Sequence, residues 1–247
     1  MRLYSELLAS LRDTEPSFMP EIRNKLVTKA KAVELGMDVP ALYGVFETPD
    51  DLDLRLLPSC FALKRHMQPA MVLLMRDGVD QNGVIWTTKT LRQRFRAIQR
   101  REMSSFVPKL FAEEYLVPPH GSAPNDHRIF VIGNVARFIL VTFDRFEGRK
   151  HLVYTVGWDE TPYWSRERWR PQGHPGLPKP PCLTAMVDFA ERFSKLWPLP
   201  TMVVDLFVHG DIPMFGEAGV FHGACHPLHP EWDEIMGKMW LESCGEP

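Results

Sequence analysis

Five ionisable residues stand where ionisable residues are costly. Lys64 closes the apolar run CFALK, Glu113 and Glu114 sit inside FAEEYL, Asp205 interrupts VVDLFV, and Glu217 ends MFGE. A carboxylate within an apolar strand is expensive to desolvate unless it is paired, hydrogen-bonded or bound to a cation. If VVDLFV and IPMFGE fold as a hairpin across HGD, Asp205 and Glu217 reach the same end and the same face. Two hard oxygen ligands there suit Mg²⁺. The alternative is that each carboxylate caps a turn or pairs with an arginine. Arg145 and Arg149, flanking FEG, could hold a phosphate or an acidic acceptor, or lie solvated on the surface.

Two other clusters carry chemistry-bearing residues. His222, Cys225, His226 and His229 in HGACHPLH include zinc-type ligands, but Gly223, Pro227 and Pro230 oppose a continuous helix carrying them, so phosphate or substrate contact and an ordinary loop are the competing readings. The segment GWDETPYWSRERWRP interleaves Trp158, Trp164 and Trp169 with Arg166, Arg168 and Arg170, which suits loop packing as well as substrate recognition.

The elements that must position these groups are readable from periodicity. Leu7, Leu8 and Leu11 share a helical face ended by Glu15-Pro16. After Met19-Pro20, the set Ile22, Leu26, Ala30, Val33 and Leu35 continues a helical period to Gly36, whose position is that of a C′ glycine, and MDVPALYGVF runs on into a strand. CFALK and AMVLLM read as hairpin partners. Thr88 to Arg101 reads as a helix with Leu91, Phe95 and Ile98 on one side and arginines around the rest, either a solvated face or one turned to a phosphate or an acidic partner. FAEEYL, HRIFVIG, ARFILVTF and KHLVYTVGW are four apolar runs of an antiparallel sheet. A proline-rich loop, RPQGHPGLPKPP, precedes the amphipathic helix LTAMVDFAERFSKLW, and a last helix surrounds Trp232 to Leu241.

Composition narrows the function. The chain of 247 residues is long enough for one large domain or two small ones. With 29 Lys plus Arg against 31 Asp plus Glu, it has no global field to gather a phosphate backbone, so a nucleic-acid partner is not expected. No apolar run approaches the roughly 18 residues of a membrane helix. The N-terminus lacks the apolar core of a signal peptide, and the 4 cysteines form no CxxC pair, so the expected compartment is the reducing cytoplasm.

The order of NKLVTKAKAVELGMDVPALYGVF, LPSCFALK, FAEEYL, DHRIFVIGN, VVDLFV and MFGE resembles the ATP-grasp superfamily, most of all its TupA-like, teichuronopeptide-biosynthesis branch, over about residues 22 to 240. The resemblance implies an α+β fold in which two subdomains clasp ATP, with antiparallel sheets and no separate N-terminal domain. The implied division is a helical lead-in at 1–21, a first subdomain at 22–111 and a second at 112–247. By resemblance, Lys25 and Lys64 approach the ATP phosphates, and Glu113, Glu114, Tyr115 and Leu116 form the hinge that takes the adenine edge, a neighbouring carboxylate holding the ribose. Asp126 and Arg128 lie under the nucleotide; Asp205 and Glu217 are the Mg²⁺ ligands; Lys64, Arg128 and Arg145 act on the transferred group.

The implied activity is an ATP- and Mg²⁺-dependent joining of a carboxylate to an amine through an acyl phosphate, in cell-surface polysaccharide, peptide or natural-product biosynthesis. A kinase acting on a hydroxyl and a catalytically weak nucleotide-binding partner subunit are the alternatives. Two departures bear on this. The loop RHMQPAMV after Lys64 has no glycine, leaving His66 and Gln68 to close over phosphates, and Glu217-Ala218-Gly219 lacks the Asn many relatives carry, leaving water to complete the Mg²⁺ shell. The acceptor pocket is then expected from insertions, a second copy or a partner enzyme.

Overall fold

The computed structural model describes residues 2–67, 71–101, 109–118, 120, 123–161, 173–220 and 229–245. It is an α+β fold built on two antiparallel sheets. Helices α1 (Tyr4–Asp13), α2 (Met19–Arg23) and α3 (Lys25–Glu34) come first, followed by strands β1 (Leu42–Phe46), β2 (Cys60–Arg65) and β3 (Val72–Arg76). Helix α4 (Thr88–Arg101) and strand β4 (Leu110–Glu113) complete the smaller sheet, whose order is β1-β4-β2-β3. The larger sheet uses β5 (Asp126–Ile132), β6 (Val135–Phe143), β7 (Lys150–Thr155), β8 (Thr201–His209) and β9 (Ile212–Gly219) in the order β7-β6-β5-β8-β9. Helices α5 (Leu183–Ser194) and α6 (Pro230–Ser243) pack on it.

The small sheet has two unlike faces because side chains alternate along each strand. Phe61, Leu63, Leu73, Met75, Leu110 and Ala112 pack with Leu91 and Phe95 of α4. Ala62, Leu74 and Tyr115 form a thin apolar layer on the other face. The large sheet holds the main core, where Phe189 and Phe193 of α5 meet Phe215 of β9 and Trp232 of α6 meets Phe138 of β6.

Three expectations need correction. The single helix read from Ile22 to Leu35 is broken at Asn24, whose side chain accepts from the backbone N–H of Leu26 and Val27 and so starts α3 afresh. The inward face of α3 is also the opposite of the apolar one: Val33 is 55% exposed and Ala30 is exposed, while Lys25, Thr28, Lys29 and Ala32 are buried. The lysines can occupy that face because carboxylates of both sheets meet them there. Finally, FAEEYL does not join the sheet of the three runs that follow it. Its strand β4 lies between β1 and β2 of the small sheet, while α3 packs against β9 of the large one. Gly36 does take the positive φ of a C′ glycine, at 79°.

Candidate functional site

Between the thin face of the small sheet and the charged end of the large one lies a cleft with a cavity volume of about 270 Å³. Ten of the sequence-predicted residues line it: Lys25, Lys64, Glu113, Glu114, Tyr115, Leu116, Asp126, Arg145, Asp205 and Glu217. Arg128 does not. Ala62, Val72 and Leu74 make its apolar wall, and Phe146 and Phe207 stand at the opposite side.

The carboxylate pair is brought together by a bulge. From the turn outward, His209 pairs with Ile212, Phe207 with Met214 and Leu206 with Phe215, a register that would set Gly216 opposite Asp205. The register shifts there, and Glu217 pairs with Asp205 instead. Because side chains alternate with period two, the extra residue turns Glu217 from the core face to the cleft face while leaving Phe215 inside. Gly216 is needed at this point: a Cβ would come within 2.7 Å of the Phe207 ring and 3.0 Å of the Asp205 carbonyl oxygen.

Most of the charged groups in the cleft have an opposite charge beside them. Lys25, at the first turn of α3, is ion-paired with Glu217. Burial would raise the Glu217 carboxyl, but the Lys25 ammonium, then Lys64 and Arg128, outweigh it and hold the group at about 2. Asp205 behaves in the reverse way. Burial and the neighbouring charges of Asp126 and Glu217 push its carboxyl well above the usual range, although Arg128 lies 3.4 Å away. The guanidinium of Arg128 is shared, with Asp126 at 3.1 Å, and Arg145 reaches the same Asp126 oxygen at 3.7 Å. The other oxygen of Asp126 is buried with no hydrogen-bond partner among the described residues.

Glu113 is fully buried and sits between two lysines, Lys64 at 2.5 Å and Lys29 at 3.0 Å. Burial would raise its carboxyl, and the two ammonium groups together hold it below the usual range. Its side chain is therefore engaged by lysines rather than available to a ribose. Glu114 accepts from the Ala41 backbone N–H at 3.3 Å, while its own N–H donates to the Ala41 carbonyl at 2.8 Å, which anchors the hinge to the segment before β1. Lys29 was missed by the sequence reading, which treated α3 by its apolar residues. The available signal was its spacing of four from Lys25, which puts both on one helical face.

Other expectations resolve more simply. His66 is buried with Nδ1 held against the Lys109 backbone at 2.9 Å; Gln68 lies outside the described residues. In α4, Arg92 donates to the carbonyls of Leu52 and Asp50, and Arg96 pairs with Asp50, which makes that part of the basic face structural. His222, Cys225, His226, Trp164, Trp169, Arg166, Arg168 and Arg170 lie outside the described residues; His229 stands at the N-cap position of α6. Trp158 stacks on Tyr154 with ring centroids 4.2 Å apart, away from the cleft. Among the described residues no group of three or more His, Cys, Asp or Glu is spaced to hold a metal. No helix among them is long and apolar enough to cross a membrane.

A family profile, TupA-like ATPgrasp, matches residues 22–241. The chain belongs to the TupA-like ATP-grasp family. Solved structures with this fold include L-amino acid ligase from Bacillus licheniformis, 15% identical, with 88% of this chain and 48% of that one covered and a TM-score of 0.57. D-alanine–D-alanine ligase from Bacillus anthracis complexed with ATP is 12% identical, with 96% and 72% covered and a TM-score of 0.55. The ATP-grasp ligase PsnB complexed with a minimal precursor is 14% identical, with 98% and 69% covered and a TM-score of 0.51. This TupA-like chain spans about half the length of the L-amino acid ligase. No curated protein sequence matches it significantly.

Proposed function

We propose that this TupA-like ATP-grasp chain is an ATP- and Mg²⁺-dependent ligase that joins a carboxylate to an amine through an acyl phosphate. The observation that carries the reading is the convergence, on one cleft between two sheets, of a hinge, two lysines and an opposed pair of carboxylates. In this reading the backbone of residues 114–116 takes the adenine edge, and Ala62, Val72, Leu74 and Tyr115 sandwich the base by apolar contact. Lys25 and Lys64 move from their carboxylates to the phosphate oxygens, compact charges suited to that role.

Asp205 and Glu217 fit a divalent cation on this structure's own grounds. They are hard oxygen donors facing one another, and Asp205 is crowded by Asp126 and Glu217 in a way that a bound cation would relieve. When bound, Mg²⁺ supplies charge neutralisation for the phosphate oxygens. Arg145, partly exposed at the cleft and only loosely tied to Asp126, is the group that would orient the substrate carboxylate. A carboxylate oxygen attacks the γ-phosphorus and ADP leaves; the amine then attacks the acyl carbon, loses a proton and expels phosphate. The substrates are proposed to be a small-molecule, glycan or peptide carboxylate and an amine, met in the cytoplasm where ATP is plentiful, with the acceptor wall supplied by the segments around the cleft, a second copy or a partner enzyme.

The test is a screen of carboxylate and amine pairs for ADP release, with hydroxylamine added as a trap. Carboxylate-dependent ADP release with a hydroxamate product supports the ligase. A stable phosphoester indicates the kinase, and tight nucleotide binding without turnover over the whole screen indicates a partner subunit.

A further inference from the structure

Lys29 has no place in the reading above, yet it occupies the junction of α3, β4 and β9. It is 7% exposed, on α3. Its ammonium lies 3.0 Å from the Glu113 carboxylate on β4 and donates to the Phe215 carbonyl on β9 at 3.3 Å, one residue before the bulge that turns Glu217. Glu113 in turn holds Lys64 through its other oxygen. Four residues earlier on the same helix, Lys25 holds Glu217. One face of α3 thus reaches the nucleotide lysine through one carboxylate and the metal strand through another.

We propose that Lys29 is a positioning residue for Lys64: it retains the charge of Glu113 so that Lys64 can leave Glu113 for a nucleotide phosphate. A buried carboxylate with a single counter-ion holds that ion tightly, because releasing it would strand a charge away from water. With two counter-ions the same carboxylate gives one up at much smaller cost, since the second stays. Glu113 is fully buried, so water cannot compensate its charge when Lys64 leaves. Burial also lowers the Lys29 ammonium to about 8, against the pull of Glu113, so its charge is kept there by this partner. Lys29 does not line the cleft, so its effect on a ligand passes either through Glu113 or through the Phe215 carbonyl beside the bulge, and Glu113→Gln can undo only the first.

The inference rests on the nucleotide reading of Lys64, and the experiment separates the two. Binding of ATP with Mg²⁺, in the absence of any carboxylate substrate, is measured by calorimetry for Lys64→Met, Lys29→Met, Lys29→Arg and the double variant Lys29→Met/Glu113→Gln. If Lys64→Met leaves affinity unchanged, the nucleotide reading of Lys64 fails and the role of Lys29 falls with it. If Lys64→Met weakens binding, Lys29→Met is expected to weaken it about tenfold to a hundredfold, the range of one charge-assisted bond. Lys29→Arg should restore most of that loss, and the double variant should bind better than Lys29→Met, because the neutral amide no longer detains Lys64. The double variant also removes the stranded carboxylate, so it remains informative if Lys29→Met does not fold. A double variant with affinity no better than Lys29→Met, or Lys29→Met that loses stability while binding as the parent does, would overturn the proposal.

Discussion

Asp205 and Glu217 face each other across β8 and β9 only because Gly216 is bulged out between them. An unbroken register from the Gly210-Asp211 turn would have put Glu217 on the core side of the sheet, opposite Val204. The geometry of a two-carboxylate site is therefore stored in one small residue, and the pair can be perturbed without touching either carboxylate.

That gives the first prediction. In Gly216→Ala the added Cβ meets the Asp205 carbonyl and the Phe207 ring at distances of 3.0 and 2.7 Å, and the backbone oxygen cannot swing away as a flexible side chain would. Overpacking of this kind costs about 1–3 kcal/mol. Thermal unfolding should show that loss, and Mg²⁺-dependent ATP binding should fall with it because Glu217 is displaced from Asp205. A variant with parental affinity would detach the bulge from the site.

The two carboxylates should respond with opposite signs when each is made an amide. Glu217→Gln leaves the buried Lys25 ammonium without its carboxylate, so unliganded stability should fall by about 1–3 kcal/mol. Asp205→Asn removes a carboxyl that is already crowded by Asp126 and Glu217, and Arg128 keeps Asp126 as a partner, so stability should hold or rise. Both variants should lose ATP-dependent turnover. Urea unfolding of the two variants side by side decides the sign, and equal destabilisation would contradict the charge balance described for the cleft.

Much of this was legible in the residues, and the gaps have physical causes. Apolar alternation located the strands of both sheets, and the HGD spacing located the β8–β9 hairpin, because burial of one face imposes a period that a sequence displays directly. The bulge was not legible: MFGE carries a glycine, but glycine alone does not say where a register shifts. The face of α3 was misread for a related reason. Periodicity assigns lysines to solvent by default, and only the fold reveals that Glu113 and Glu217 come from distant strands to meet Lys29 and Lys25. Likewise β4 was grouped with its sequence neighbours, since strand order within a sheet is set by long-range pairing that local pattern does not encode.

Acid should weaken the fold well above the range in which an unperturbed carboxylate titrates. Burial lowers His127 to about 4, and burial followed by the charges of Arg128 and Arg149 lowers His151 to about 3, while an unfolded histidine titrates near 6.5. Between those values the unfolded chain binds more protons than the folded one, so stability rises with pH; it is complete above about 6.5 and is lost as the pH falls toward 4. The slope is about 1.4 kcal/mol per pH unit for each histidine. Urea midpoints stepped from about pH 7 to about pH 5 should fall accordingly, and His151→Gln should flatten part of the decline. A midpoint that is constant over this window would mean the histidines are charged in the fold.

The two arginines of the large sheet should separate structure from chemistry. Arg128 has a side chain 12% exposed, stands between Asp126 and Asp205, and does not line the cleft. Arg128→Met removes the cation shared by two buried carboxylates, a loss of about 3–5 kcal/mol when a buried pair is broken. That figure is softened at Asp205, where burial and the charge of Asp126 already disfavour the ionised carboxylate. Arg145 is 30% exposed at its side chain, lines the cleft, and touches Asp126 only at 3.7 Å, so Arg145→Met should leave unfolding nearly unchanged. If Arg145 orients the substrate carboxylate, its loss should raise the KM for that substrate and lower kcat while ATP affinity stays near that of the parent. Circular dichroism melts paired with steady-state kinetics read both effects at once, and a strongly destabilised Arg145→Met with normal kinetics after correction for the folded fraction would move Arg145 from the reaction to the scaffold.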